Sequence, residues 1–221
     1  MTRGNPYDDR YAAEEYYWSK TPSAMCERVL EVMRPEPGRS LKLLDLGCGE
    51  GRNAVYFAQH GFEVFALDSS LPGLGKAERY AAEVGVSLHR VHADMTTYRL
   101  DDVYDVVFST GALHYLPPEV RQERFADYKV HTAPGGLHAM SVLVRKPFIP
   151  AAPDAEPTAH PYGSGELLGY YWDWEVLYCT EEVFDCRSSG VPHRHAVNRV
   201  IARPAPAVGS APVEGRSAGA P

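Results

Sequence analysis

Long apolar runs are missing: nowhere among the 221 residues are there the ~18 consecutive apolar side chains that a membrane-spanning helix needs. The opening stretch, MTRGNPYDDRYAAEEYYWSK, also lacks the apolar segment of a signal peptide. A cytoplasmic protein with no membrane partner is therefore expected. Cysteine is scarce, with four residues, Cys26, Cys48, Cys179 and Cys186, scattered along the chain. That excludes a disulfide framework and leaves free thiols or ligands. Positive charge is in deficit, 22 Lys and Arg against 29 Asp and Glu, for a formal net charge of −7. A broad nucleic-acid footprint is excluded, and a small-molecule acceptor is expected, handled by a monomer or homodimer. Aromatic residues are absent from residues 204–221, PAPAVGSAPVEGRSAGAP, which reads as a disordered tail.

What is present suits one α/β domain. Apolar runs at Leu41–Leu46, Val64–Leu67, Leu88–Val91, Tyr104–Ser109 and Leu137–Val144 read as strands, separated by breaks or helix-like segments. Such β-then-α repetition implies a parallel sheet covered on both faces. Residues 145–166 carry five prolines and cannot run as a central strand or regular helix. A loop this long in a compact domain is usually functional, so residues 145–165 are assigned as a lid. Beyond it, Gly165–Trp174 reads as a short aromatic helix, and Val176–Cys186 and His193–Arg203 as an antiparallel hairpin bent at Arg187–Pro192.

The first strand runs into a glycine-rich turn, Asp45-Leu46-Gly47-Cys48-Gly49-Glu50-Gly51-Arg52-Asn53, and then into a helical pattern. Glycines let the backbone approach a ligand closely, and the helix N-terminus behind them presents free N–H donors. A second strand ends at Asp68, twenty-three residues past Asp45, the spacing of an acid that takes ribose hydroxyls. The dinucleotide fingerprint G-x-G-x-x-G requires glycine at position 52, where this chain has Arg52, which argues against a nicotinamide cofactor.

The D-x-G-C-G-x-G form resembles motif I of the class I S-adenosylmethionine-dependent methyltransferases, and later segments match that family in order over residues 41–145. The resemblance implies a doubly wound, Rossmann-like seven-stranded sheet, mostly parallel, with an antiparallel C-terminal hairpin. It implies S-adenosyl-L-methionine as cofactor, with Gly47, Cys48, Gly49, Arg52 and Asn53 around its methionine part and Asp45 acting through nearby groups or water. Asp68, with Ser69, corresponds to the ribose-binding acid, and Asp94 and Met95 to the residues that meet the adenine. Ser109 stands at the end of strand four, which faces the cofactor, and Pro134-Gly135-Gly136 matches the turn before strand five. At finer grain the chain is similar to the tellurite-resistance methyltransferases, through Tyr16-Tyr17-Trp18-Ser19-Lys20, the L-D-L-G-C-G-x-G-R-N loop and the region Gly165–Glu175. The methyltransferase domain then spans residues 41–203, with residues 1–40 a helical segment over the cofactor. In that arrangement Tyr17 and Trp18 either cap a sulfonium, which aromatic faces attract, or anchor a helix to the core.

Members active on tellurium oxyanions are thought to use His and Arg near the C-terminal hairpin, where this chain reads Cys186-Arg187-Ser188-Ser189-Gly190-Val191-Pro192-His193-Arg194-His195. Those residues do not carry over one by one, which leaves the acceptor open among thiol, selenium, tellurium or other metalloid species, and oxygen or nitrogen. His193 and His195, two apart on a strand, project to one face, and the hairpin brings Cys186 or Cys179 beside them. Two readings follow: a soft catalytic or metal site suited to zinc, copper or a metalloid, or ordinary hairpin residues. A sensor that binds cofactor and metal without transferring a methyl group belongs with the first. His114, just past strand four, is placed to accept a proton from the acceptor or to serve as a capping or packing residue. Cys48 reads as a packing residue.

Overall fold

A computed structural model describes residues 7–153, 155–187 and 190–206. Strand β1 (Lys42–Leu46) buries Leu43, Leu44 and Leu46 almost completely. Successive side chains of a strand leave opposite faces, so this strand must be covered on both sides. The same holds for β2 (Glu63–Asp68) and β4 (Tyr104–Thr110). One face carries Leu44, Leu46, Val107, Met140 and Tyr171, and the other Leu43, Val64, Phe57, Phe108 and Ile201. With β3 (His89–His92), β5 (Thr132–Val144), β6 (Trp174–Cys186) and β7 (His193–Pro204), the seven strands lie in the order β3-β2-β1-β4-β5-β7-β6. The first five are parallel, and β7 runs antiparallel to both β5 and β6, giving the C-terminal hairpin that the sequence led one to expect.

Helices α3 (Arg52–Gln59), α4 (Leu71–Glu83) and α5 (Pro118–Val130) make the crossovers. Ser70 caps α4, its hydroxyl accepting the Gly73 N–H at 3.2 Å, and Pro72 sits in the first turn, where no backbone donor is lost. Ahead of the sheet lie α1 (Asp8–Ala12) and α2 (Ala24–Val32), the latter capped by Ser23. No helix of the described residues is long and apolar enough to cross a membrane.

Three elements differ from expectation. β5 begins at Thr132, which pairs with Tyr104, so Pro134-Gly135-Gly136 lies inside its bounds as an irregularity before Leu137 meets Val106. The aromatic helix shrinks to α6 (Glu166–Gly169), because Trp174 is drawn into the sheet opposite Pro204. The proline-rich stretch is pinned at its end: Tyr162, fully buried, bridges Val144, and the Arg121 guanidinium lies 3.7 Å from the centre of the Tyr162 ring. The tail expected at 204–221 lies outside the described residues from position 207 onward.

Candidate active site

Strand order reverses between β1 and β4, and a crevice opens there beyond the carboxyl ends of the strands, where ligands of open α/β sheets bind. The resulting cavity measures about 810 Å³, within the ~300–1,000 Å³ of small-molecule sites. Its floor is built by backbone. The N–H groups of Gly47 and Cys48 both donate to the Leu67 carbonyl, at 2.8 and 2.9 Å, tying the turn after β1 to β2. At Gly47, φ is +72°, and an added Cβ would stand 2.2 Å from that of Ala112. At Gly49, φ is +54°, and a Cβ would meet the Tyr11 hydroxyl at 2.8 Å. Only glycine permits both the left-handed backbone and the close approach.

Carboxylates surround this floor. Asp68 is nearly buried and accepts the Gly49 and Ser70 N–H groups at 2.8 Å each. Burial raises its pKa, and those amide bonds hold it back. Asp94 stands at the mouth, one oxygen taken by the Thr96 N–H at 2.8 Å, beside Met95. Asp45 lies beneath the turn, outside the cavity wall, with one oxygen unpartnered. Burial, then the charge of Asp68, pushes it up to about 7, while Arg52 pulls it down. Asn53 donates to Thr110 Oγ1 at 3.0 Å and accepts the Ser23 N–H at 2.9 Å, so α2, α3 and β4 meet at one amide.

The roof is built by side chains of the N-terminal segment and the proline-rich loop. Glu50, buried in the glycine turn, accepts the backbone N–H groups of Tyr17 and Trp18 at 3.1 Å each and pairs with Lys76 of α4 at 2.8 Å. Lys76 also donates to the Glu15 carbonyl. Trp18 then reaches the wall and donates its indole N–H to the Tyr11 hydroxyl at 3.0 Å. Tyr7 stacks on Tyr11 with centroids 5.3 Å apart and takes the Tyr115 hydroxyl at 3.1 Å. Arg10 crosses to the loop and pairs with Glu156 at 2.6 Å, two residues from the cavity-lining Thr158.

Of the residues expected around the cofactor, Trp18, Gly47, Cys48, Gly49, Arg52, Asn53, Asp68, Ser69, Asp94 and Met95 line the cavity. Tyr17 stands behind Trp18, edge-on with centroids 4.7 Å apart. Ser109 is fully buried and donates to the Leu46 carbonyl at 2.8 Å, and its neighbour Thr110 takes the wall instead. Cys48 keeps a neutral thiol, its pKa raised well above the usual value by burial.

His114 lies outside the wall, packed on Tyr115 with centroids 4.4 Å apart, its Nδ1 unpartnered. Burial pushes it down to about 4, so the ring is neutral. Cys186, His193 and His195 also stand apart from the cavity wall but come together with one another. Cys179 is separate, 3.8 Å from Asn198 Nδ2. Tyr7, Asp8, Tyr11, Glu50, Tyr115 and Thr158 are wall residues that the sequence did not single out. An acid between two glycines of a buried turn was the one available signal, since such a charge demands a partner.

The sheet around this crevice shares its fold with solved Rossmann-like structures. The chain superposes on the crystal structure of TehB from Haemophilus influenzae with a TM-score of 0.73 at 21% identity, covering 90% of this chain and 66% of that one. Among curated proteins it is 26% identical over 173 residues to the probable S-adenosyl-L-methionine-dependent methyltransferase TehB of Haemophilus influenzae, covering 78% of this chain and 59% of that protein. It is 30% identical over 191 residues to hemagglutinin 1 of Eikenella corrodens, covering 80% of this chain and 61% of that protein. The chain thus spans less than two thirds of the length of these curated relatives. The family described as tellurite resistance protein TehB matches residues 7–194, running from the aromatic roof through the floor to the hairpin, and the chain belongs to that family.

Proposed function

We propose that the protein is an S-adenosylmethionine-dependent methyltransferase acting on a small acceptor with a soft nucleophilic atom, a thiol or a selenium, tellurium or other metalloid species. The observation that supports the cofactor is the pairing of a glycine floor, which no Cβ can share, with a wall carrying Asp8, Glu50, Asp68 and Asp94 against the lone guanidinium of Arg52. Such a wall disfavours a pyrophosphate and favours a ligand with a cationic centre and free hydroxyls. Asp68 and Ser69 would hold the sugar, Asp94 and Met95 the base, and the turn Gly47–Gly49 with Arg52 the amino-acid end. When bound, this cofactor supplies a methyl carbon on a positively charged sulfur.

The chain's own residues then have to hold an acceptor lone pair in line and keep water out. Tyr7, Tyr11, Trp18 and Tyr115 supply apolar, water-excluding surface at the roof. Beside them, the wall residues Gly111, Ala112, Tyr115 and Thr158 and those of the N-terminal segment carry no imidazole, and the wall histidine among the described residues, His92, stands at the end of β3 with Nε2 3.1 Å from the Ser69 carbonyl. The one carboxylate of the N-terminal wall residues, Asp8, accepts the Ser70 hydroxyl at 2.6 Å. A soft acceptor needs no base there, whereas an oxygen acceptor would. His114, behind Tyr115, then acts as a positioning residue. We place the activity in the cytoplasm, a reducing compartment that suits a chain with four scattered cysteines.

Calorimetry with S-adenosylmethionine and its demethylated product, followed by product masses from a panel of thiols, selenite, tellurite and arsenite, tests this reading. Uptake of both compounds and a methylated soft acceptor are expected. No uptake would sink the cofactor assignment, binding without any product would leave a sensor, and products from hydroxyl or amine compounds alone would overturn the acceptor class.

A further inference from the structure

The facing ends of β6 and β7 gather soft ligand atoms that do not line the cofactor cavity. Cys186 and His193 are register partners, and His195 follows on the same face of β7. One ligand atom from each of the three lies within 4.8 Å of the others, and all three residues are half-buried. The ring of Phe184, opposite His195, stands 5.7 Å away and gives the group an apolar side.

The imidazole geometry is specific. His193 Nδ1 lies 2.7 Å from the Val191 carbonyl, which can only accept, so Nδ1 carries the hydrogen. In the neutral ring the lone pair then sits on Nε2, and that atom lies 2.9 Å from Nε2 of His195. The neutral His195 ring therefore donates its Nε2–H to the His193 Nε2 lone pair. An imidazole fixed through one nitrogen to a backbone carbonyl, with the other turned toward a cluster of donors, is the arrangement that metal-binding histidines adopt. Around a tetrahedral zinc ion, with Zn–N of ~2.0–2.1 Å and Zn–S of ~2.3 Å, ligand atoms sit about 3.3–3.6 Å apart. The two rings would open by a few tenths of an ångström, and the sulfur would close by about 1.3 Å at most.

We propose that Cys186, His193 and His195 bind one divalent ion of the zinc class, leaving a fourth position to water or a soft exogenous ligand. On binding, the thiol gives its proton to solvent, and the proton between the rings moves to Nδ1 of His195, so that sulfur and both Nε2 atoms each direct a lone pair at the ion. A thiolate and two imidazoles select zinc, or cobalt and nickel in its place, over calcium or magnesium. The site does not depend on methyl transfer and is tested apart from it.

The untagged 221-residue chain, stripped with chelator and dialysed against micromolar zinc, is expected to retain one ion per chain by elemental analysis. Cobalt loaded in its place is expected to give a thiolate-to-metal charge-transfer band in the near ultraviolet. Cys186→Ser should abolish that band, and Cys186→Ser or His195→Gln should weaken zinc binding by more than about 100-fold, the upper end of the loss from removing even an outer partner. Cys179→Ser, on the same strand but outside the cluster, should leave both readouts unchanged. Unfolding midpoints in metal-free buffer separate lost binding from lost folding, and the wild-type cobalt spectrum reports sulfur ligation without any substitution. Failure to retain zinc, a cobalt spectrum without the sulfur band, or equal loss in Cys179→Ser would overturn the site.

Discussion

The floor and the roof of the cavity are held by different physics. The floor uses main-chain bonds between strand ends, Gly47 and Cys48 on the Leu67 carbonyl and Ala93 on the Asp68 carbonyl at 3.1 Å, with the Gly49 N–H held by the Asp68 carboxylate. The roof uses charged side chains reaching across the fold, with Glu50 and Lys76 under the N-terminal segment and Arg10 and Glu156 joining that segment to the loop. Main-chain bonds inside a buried sheet open only with the sheet, whereas side-chain clasps can fail alone. The floor should therefore define which cofactor binds, and the roof should govern how tightly the cavity closes over it.

The sharpest way to break this comparison is Glu50→Gln. Both partners of the Glu50–Lys76 pair are almost fully buried, at 2% and 1% side-chain exposure, so the substitution strands a buried ammonium. A loss of about 3–5 kcal/mol is expected in urea unfolding. Adding Lys76→Met should recover part of it, because the stranded charge is gone. If the single change costs under about 1 kcal/mol, the roof is not held as described.

Next in size is a pH effect at the floor. Asp45, pushed up to about 7 in the folded chain from 3.8, binds its proton more tightly folded than unfolded between those values. Stability from this group is thus lost as pH rises from about 4 to about 7 and is level above that, by at most about 4 kcal/mol. Asp45→Asn removes the titration while keeping an oxygen for the backbone. Melting curves from pH 4 to 8 should show the difference between the two proteins moving in favour of the variant as pH rises. A constant difference would mean that Asp45 ionises as freely as in the unfolded chain.

Gly47→Ala probes the same floor through shape. It places a methyl group 2.2 Å from the Ala112 Cβ at a φ of +72°, and about 3 kcal/mol of stability should go, from backbone strain and overpacking together. Affinity for S-adenosylhomocysteine by calorimetry should fall as well. Unchanged stability and binding in this variant would remove the close-approach argument.

These contrasts explain what the sequence made legible. The floor is encoded locally: Asp45, Gly47, Gly49 and Asp68 sit at strand ends that alternation and glycine spacing announce, and sheet order follows from the β-then-α rhythm. The roof is not, because Tyr7, Asp8 and Tyr11 lie in a polar stretch without period, and their meaning comes from α4 and Tyr115, far away in sequence. At Ser109 the sequence reading is off by one residue for a related reason. Alternation along β4 turns its hydroxyl to the Leu46 carbonyl and leaves Thr110 for the cavity, and a one-residue shift reverses every side chain. Cys186, His193 and His195 are legible as a group because a hairpin makes near neighbours of residues on either side of its turn.

The smallest expected effect separates a clasp from a scaffold. Arg10 and Glu156 pair at 2.6 Å with side chains 29% and 18% exposed, so solvent screens much of their attraction. A double-mutant cycle with Arg10→Ala and Glu156→Gln should give a coupling energy of about 0.5 kcal/mol in unfolding, as for other surface pairs. Because the pair joins the two parts of the roof, the same coupling should appear in the release of S-adenosylhomocysteine, with dissociation about two-fold faster in either single variant and no faster in the double. If release is unchanged while stability falls, the loop and the N-terminal segment brace the fold without covering the ligand. If release quickens alone, the roof is a true lid.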